Sequence, residues 1–370
     1  MNRTRGVVVT YSSQTAVPMR AHQRALLAVE ANAIATLKQY EFGGQYDESI
    51  DYGRHVFFVP DDTLLIEEAR SRGIRTPDDL YGGVVPYLFA KTKSITHPLV
   101  DDRADRPDGW SNEFCERVRE VVLGGYTAFS ARDARIAVRR MLESGSVRVK
   151  EPLHAGGKGQ TVIKAIIELE SLLERLPADD IGRYGLVLEE NLDQVMTLSI
   201  GQLTLAGQAI AYYGTQRLTT DNNGQRAYGG SDLVCVRGGW DVVYPYPMST
   251  QLREALAQAR LYDDAMKEYP GFMASRLNYD IGQGLDQEER WRSAVFESSW
   301  RVGGASPAEL VAFAEFVRDP SLQLVEASHI EKFGKNLEPP PGAIVHFQAD
   351  DPFAGPIMRY TIIKRVSRAI

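Results

Sequence analysis

Apolar residues recur along this chain with two different periods, and the switches between them mark its elements. A continuous apolar run, Gly6 to Tyr11, opens the chain and reads as a buried strand. Val17 to Tyr40 is rich in Ala, Leu, Arg and Glu and reads as a helix. His55 to Val59 is a second strand, closed by Pro60-Asp61-Asp62, and Thr63 to Arg72 a second helix, closed by Gly73. This alternation predicts a small α/β unit with a largely parallel sheet. Asp78 to Pro86 reads as a loop, Ala90 to His97 as a short helix ended by Pro98, and residues 101 to 113 as a polar connection.

Ser130 or Asp133 is placed to cap a helix running to about Ser144. Val147 and Val149 then alternate with charged residues into Lys150, the pattern of a half-buried strand, and the β-branched Thr161-Val162-Ile163 predicts its partner. Ala165 to Leu176 is helical, with Pro177 to Asp180 as its stop, and Leu186 to Leu188 is a buried strand. Thr197 to Gln202, Gln208 to Tyr213 and Arg217 to Thr220 read as antiparallel strands, with a hairpin signal at Asp221-Asn222-Asn223-Gly224. Leu252 to Tyr269 is a helix. Ser275 to Ile281 and Ser293 to Glu297 are strands, Ser306-Pro307 starts a helix, and Gly342 to Lys364 forms paired strands.

Composition narrows what such a chain does. Its 370 residues suit two or three packed lobes, with 44% apolar and 25% charged residues as in ordinary globular proteins. A net charge of −7 argues against nucleic-acid partners. No apolar run spans a bilayer, and the N-terminus reads as a strand and not a signal peptide. Cys115 and Cys235 imply neither a metal site nor a disulfide framework, so the cytoplasm is the expected compartment. The six histidines form no close pairs, which argues against zinc.

Chemistry concentrates between Val147 and Val162. Gly156, Gly157 and Gly159 surround Lys158 between two strands, with Lys150 just before the loop. Bare backbone N–H groups and two amines suit a polyphosphate under a mobile flap; a solvated Lys-Gly turn is the alternative. It is not a P-loop, because Gly159 rather than Ser or Thr follows Lys158, and no Gly-x-Gly-x-x-Gly fingerprint occurs here.

The order of these parts resembles the ATP-grasp superfamily of carboxylate–amine and carboxylate–thiol ligases. Lys93 lies in a Thr-Lys segment similar to that of the family's first nucleotide lysine, and Lys150 ends a Val-x-Val-Lys-x-Pro strand similar to the second. Gly156 to Gly159 matches the flap, and Leu186 to Asn191 the hinge strand for adenine and ribose. Asp280 and Glu297 lie on late strands like the metal carboxylates, and Arg301 follows at the spacing of a Glu-x-Asn-x-Arg signature. Ser299 stands where that signature has Asn, a weaker oxygen ligand that puts a second metal ion in question.

The resemblance implies an α/β protein with the ATP-grasp fold. Residues 1–100 would be a pre-grasp domain, 101–190 the small lobe with the flap, and 191–370 the large lobe with the metal site. It implies ATP with magnesium, or manganese in its place. Cofactor contacts would come from Lys93, Lys150, Gly156 to Gly159, Glu189 or Glu190, and Asn191. Asp280, Glu297 and Ser299 would be metal ligands, and Arg301 and Arg217 would act on an acyl phosphate. Tyr228 to Asp232 is assigned to the acceptor substrate. Substrates would be a small-molecule acid and an amine-like nucleophile, and a homodimer is compatible with the reading. Structural ion pairs are the competing explanation for Asp280, Glu297 and both arginines. A small-molecule kinase or a non-catalytic nucleotide-binding protein are the rival functions.

Overall fold

The computed structural model describes residues 5–14, 19, 21–151, 153 and 159–368. Gly6–Tyr11 is the centre of a parallel three-stranded sheet between Glu41–Gln45 and His55–Pro60. The helix Ala21–Lys38 buries Leu27, Ala31, Ile34 and Ala35 between this sheet and the rest of the molecule. The strand Glu41–Gln45 has no apolar signature, because as an edge strand with two glycines it buries neither face.

Residues 78–86, expected to be a loop, instead hold a short turn at Pro77–Asp79 and the strand Gly83–Val85. That strand pairs with Leu64–Leu65 and with Met273–Ala274, nearly two hundred residues away, and so ties the N-terminal part to the large sheet. Long-range pairing of three-residue strands leaves no local pattern to read.

An antiparallel four-stranded sheet has the order Gly125–Ala128, Leu186–Glu190, Val147–Lys150, Gln160–Ile163. Opposite it stands an antiparallel eight-stranded sheet, in the order Trp291–Ser299, Arg276–Leu285, Asp193–Leu205, Gln208–Thr220, Arg226–Arg237, Leu324–Phe333, Gly355–Ser367, Ile344–Asp351. One face of this sheet, with Leu277, Tyr279 and Ile281, packs against the helix Thr250–Lys267. The other, with Leu203, Tyr212, Leu233 and Cys235, meets the helices Ser306–Arg318 and Ala21–Lys38. Among the described residues no helix is long and apolar enough to cross a membrane.

Candidate functional site

Strand alternation places Lys150 and Glu189 on one face of the four-stranded sheet, turned toward the larger one. Both are almost fully buried and form an ion pair. His97 Nε2 lies 3.4 Å from the other oxygen of Glu189. Burial alone would raise the Glu189 carboxyl, but Lys150 and His97 hold it down at about 2. Burial, with Lys93 adding to it, lowers the Lys150 amine to about 8 against the pull of Glu189. The amine of Lys150 stands 4.6 Å from the ring centre of Phe296 on the facing sheet. Beneath that ring Gly282 leaves the room a side chain would take, since a Cβ there would come within 2.1 Å of it.

Lys93 comes from a tight turn, Lys93–Thr96, started by the Thr92 hydroxyl accepting from Ser94 N. Ser94 O accepts from Thr127 Oγ1 at 2.8 Å, and Ser94 Oγ donates to Tyr184 O at 2.6 Å, which anchors the turn to the small lobe. Buried, Lys93 Nζ reaches 3.6 Å from Glu297 Oε2. Glu297 pairs in register with Asp280, and Asp280 with Ser199. Asp280 Oδ1 accepts from Ser199 Oγ at 3.1 Å and Asn278 Nδ2 at 2.9 Å, and Gln216 Nε2 donates to Ser199 Oγ at 3.0 Å. Burial and then Glu297 push the Asp280 carboxyl up. The amines of Lys93 and Lys150 thus meet two carboxylates of the large sheet.

That donor set fits magnesium. Among the described residues no three His, Cys, Asp or Glu side chains gather into a metal cage. Two facing carboxylates are what this cation needs when phosphate oxygens and waters complete its shell. Ser299, the third expected ligand, lies beside Arg276. Its hydroxyl lies 3.5 Å and its carbonyl 3.3 Å from Nη1 of Arg276, a buried guanidinium paired with Glu309, and a metal cation is disfavoured beside it.

The hinge residues divide. Glu189 pairs with Lys150 and lies against His97. Glu190 turns to the opposite face and meets Arg292 at 3.2 Å. Asn191 accepts from Arg148 Nη2 at 2.6 Å, which places Arg148 beside the hinge on the Lys150 face. Glu151 N donates to Gly159 O at 2.8 Å, and Gly159 has φ +63°, closing the base of the flap hairpin. Gly156, Gly157 and Lys158 lie outside the described residues.

The two arginines also part company. Arg301 follows the strand Trp291–Ser299, its Nη1 donating to Val302 O at 3.0 Å and its Nε 3.6 Å from Asp62 just past the third N-terminal strand. Lys91 Nζ meets the same carboxylate at 2.7 Å. Arg217 stands apart from the cleft carboxylates. It shares a sheet face with Thr215 and Asp232, opposite to Asp280 and Gln216, and is held by an ion pair with Asp232 that Lys364 and Ser328 complete. Residues 228–232 are likewise not a loop but part of the strand Arg226–Arg237. Within it Tyr228 turns to the cleft face, donates to or accepts from Ser231 Oγ at 2.6 Å, and covers Gly304, where a Cβ would come within 2.5 Å of its ring.

Sequence reasoning missed His97, Arg148 and Phe296. The alternation Val147-Arg148-Val149-Lys150 was the available signal for Arg148, and the position just before Glu297 the one for Phe296. His97 has none, since its partner lies 92 residues away.

The sequence profile of the family described as "Protein of unknown function (DUF3182)" matches residues 8–361. A search of curated proteins returns no match. Among solved structures the chain is similar to N5-carboxyaminoimidazole synthetase from Staphylococcus aureus complexed with ADP, at 11% identity over 98% of this chain and 94% of that one, with a TM-score of 0.54. It is similar to biotin carboxylase from Campylobacter jejuni in a β,γ-ATP complex, at 9% identity, 98% and 88% coverage and TM-score 0.52. Phosphoribosylamine–glycine ligase from Thermotoga maritima gives 13% identity, 96% and 92% coverage and TM-score 0.52. These are ATP-grasp enzymes, and the chain has the ATP-grasp fold.

Proposed function

The chain belongs to the DUF3182 family, and we propose that it is an ATP- and magnesium-dependent ligase that activates a carboxylate as an acyl phosphate for attack by an amine. The observation that carries this reading is the meeting of Lys93 and Lys150 with Asp280 and Glu297 in one cleft. Structural relatives in complex with ADP and with β,γ-ATP support it.

Lys93 and Lys150 neutralise phosphate oxygens, and the Glu189–His97 pair keeps Lys150 in place. Asp280 and Glu297 would hold the magnesium ion, which supplies charge neutralisation at the phosphates. Phe296, with Leu192 and Leu123 nearby, offers an apolar seat for a base. Arg301 would steady the transferred phosphoryl group or the substrate carboxylate with its planar fork. A carboxylate oxygen of the substrate attacks the terminal phosphorus as the bond to ADP breaks. The amine nitrogen then attacks the acyl carbon, and phosphate leaves as the nitrogen gives up a proton. Positioning and charge neutralisation do most of this work, and no side-chain nucleophile takes part.

Protein, magnesium and ATP are mixed with pools of acids and amines. ADP release that requires both an acid and an amine supports ligation. A stable phosphorylated product formed without an amine would show a kinase instead, and nucleotide binding with no turnover a non-catalytic protein.

A further inference from the structure

Just past the strand His55–Pro60, one carboxylate of the N-terminal part touches both sides of the cleft, and the proposed chemistry leaves it unused. Asp62 lies between two strands that are themselves paired, His55–Pro60 with Gly6–Tyr11 and Leu64–Leu65 with Gly83–Val85, so its backbone is held from both ends. Each of its carboxylate oxygens faces a different cation. Oδ2 is 2.7 Å from Lys91 Nζ, and Oδ1 is 3.6 Å from Arg301 Nε. Thr63 N donates to Oδ1 at 2.8 Å, which limits rotation of the carboxylate.

The two cations come from segments that meet across the cleft. Lys91 ends the helix Leu88–Lys91, and after Thr92 the turn that carries Lys93 begins. Arg301 comes just after the strand Trp291–Ser299, which carries Glu297. Asp62 therefore ties together the segments whose Lys93 and Glu297 lie 3.6 Å apart.

The backbone around Arg301 is held closely. Arg276 Nη1 donates to Arg301 O at 2.6 Å, and Thr63 Oγ1 donates to Trp300 O at 3.4 Å. Gly82 and Gly83 let the N-terminal part approach this far. A Cβ on Gly82, at φ +143°, would come within 3.0 Å of Trp300 O, and one on Gly83 within 2.6 Å of Trp300 Cβ. The side chain of Arg301 is less constrained. Its Nη1 donates to Val302 O, Asp62 stands at Nε, and among the described residues its Nη2 meets no partner. An ion pair at 3.6 Å on a side chain 30% exposed adds little to the stability of the fold. Its effect is on direction. With Nε turned to Asp62, the open edge of the fork points away from that carboxylate. Orienting a long side chain before its ligand arrives also removes an ordering cost from binding.

We propose that Asp62 is a positioning residue: holding Lys91 with one oxygen and Arg301 with the other, it sets the two sides of the cleft against each other and presents the open N–H groups of Arg301 to the terminal phosphate. The inference rests on the ligase reading for the ligand that Arg301 meets.

The test is calorimetry on the full chain with magnesium and ADP, and with magnesium and the β,γ-imido analogue of ATP. It compares the parent protein, Asp62→Asn, Asp62→Glu, Arg301→Ala and the Asp62→Asn/Arg301→Ala double variant. Asp62→Asn should bind ADP about as well as the parent. Affinity for the analogue relative to ADP should fall about tenfold in Arg301→Ala, the size of one charged hydrogen bond lost. It should also fall in Asp62→Asn, by about threefold or more. Removing a negative charge by itself favours a polyphosphate, so a fall there has to come through the orientation of Arg301. The double variant should fall no further than Arg301→Ala, because Asp62 acts through that side chain. Asp62→Glu, which keeps the charge, should stay nearer the parent than Asp62→Asn. Relative analogue binding that is unchanged or tighter in Asp62→Asn overturns the proposal, as does a double variant that falls beyond Arg301→Ala. If Asp62→Asn and Asp62→Glu both fail to fold, Asp62 is structural and the proposal is overturned as well. Failure of the parent protein to bind ADP overturns the ligase reading itself, and this inference with it.

Discussion

Asp280 and Glu297 oppose one another directly across two antiparallel strands, two carboxylates on one face of the sheet. Like charges at such a position cost about 0.2–1 kcal/mol before burial is added. The Asp280→Asn variant should therefore be more stable than the parent protein without magnesium, by about that amount, and so melt higher, and should lose magnesium-dependent ADP binding. Thermal melts with and without magnesium, together with ADP titrations, check both. An unchanged magnesium dependence of ADP binding in the variant would remove Asp280 from the metal site.

Lys150 and Glu189 form a buried ion pair at the cleft. Removing one partner of a buried pair leaves the other charge uncompensated, so Lys150→Met should cost about 3–5 kcal/mol. The double variant Lys150→Met/Glu189→Leu should recover much of that stability without recovering ADP binding. Acid denaturation gives an independent reading. The ordinary value for Glu189 is 4.5 and the folded protein holds it at about 2. A depressed carboxylate stabilises the fold fully above pH 4.5, and this contribution, on the order of 3 kcal/mol, is lost as pH falls toward 2. Denaturant midpoints for the parent and the double variant, compared across that window, should converge at low pH.

Much of this cleft was legible in the sequence because its groups end short apolar strands. Lys150 closes Val147–Lys150 and Glu297 follows the run Ala294-Val295-Phe296, places where a charge is seldom left without a purpose. The side-chain face of Arg217 was lost for a physical reason. Gln208–Thr220 is one continuous strand, and reading it as two discards the alternation that sets Gln216 and Arg217 on opposite faces. Leu324–Phe333 escaped notice because Glu326, Ser328 and Lys332 break its apolar pattern. A strand paired on both sides needs no such pattern where Arg365 meets Glu326 and Asp232 takes Ser328. The contact of Ser299 with Arg276 left no signal in the sequence, since the two are 23 residues apart and joined only by strand pairing.

The opposite placement of the two arginines is open to a direct comparison. Arg301→Ala should lower ADP release by a hundredfold or more with little change in melting temperature, since its side chain is 30% exposed and its one carboxylate contact is loose, at 3.6 Å. Such surface pairs contribute about 0–1 kcal/mol. Arg217→Ala should leave turnover within a few-fold of the parent. A large loss of turnover in Arg217→Ala without a loss of folding would restore it to the site.

Glu30 gives the fold an unusual dependence on pH. Burial raises its carboxyl from 4.5 to about 8, with Glu309 adding to the shift and Arg276 and Arg359 opposing it. In the unfolded chain the group ionises near 4.5, whereas in the ligand-free fold it stays protonated until about 8. The unfolded state therefore binds fewer protons between those values, and the contribution of Glu30 to stability is whole below pH 4.5 and fades as pH rises through 8. The full loss is on the order of 4–5 kcal/mol. Glu30→Gln has no proton to lose, while every other titrating group is common to both proteins. The stability difference between variant and parent should thus be flat below pH 4.5, grow in favour of the variant toward pH 8, and level off above it. Denaturant unfolding at half-unit pH steps measures that curve, and a difference that does not vary with pH would mean that Glu30 ionises in the folded protein as it does in water.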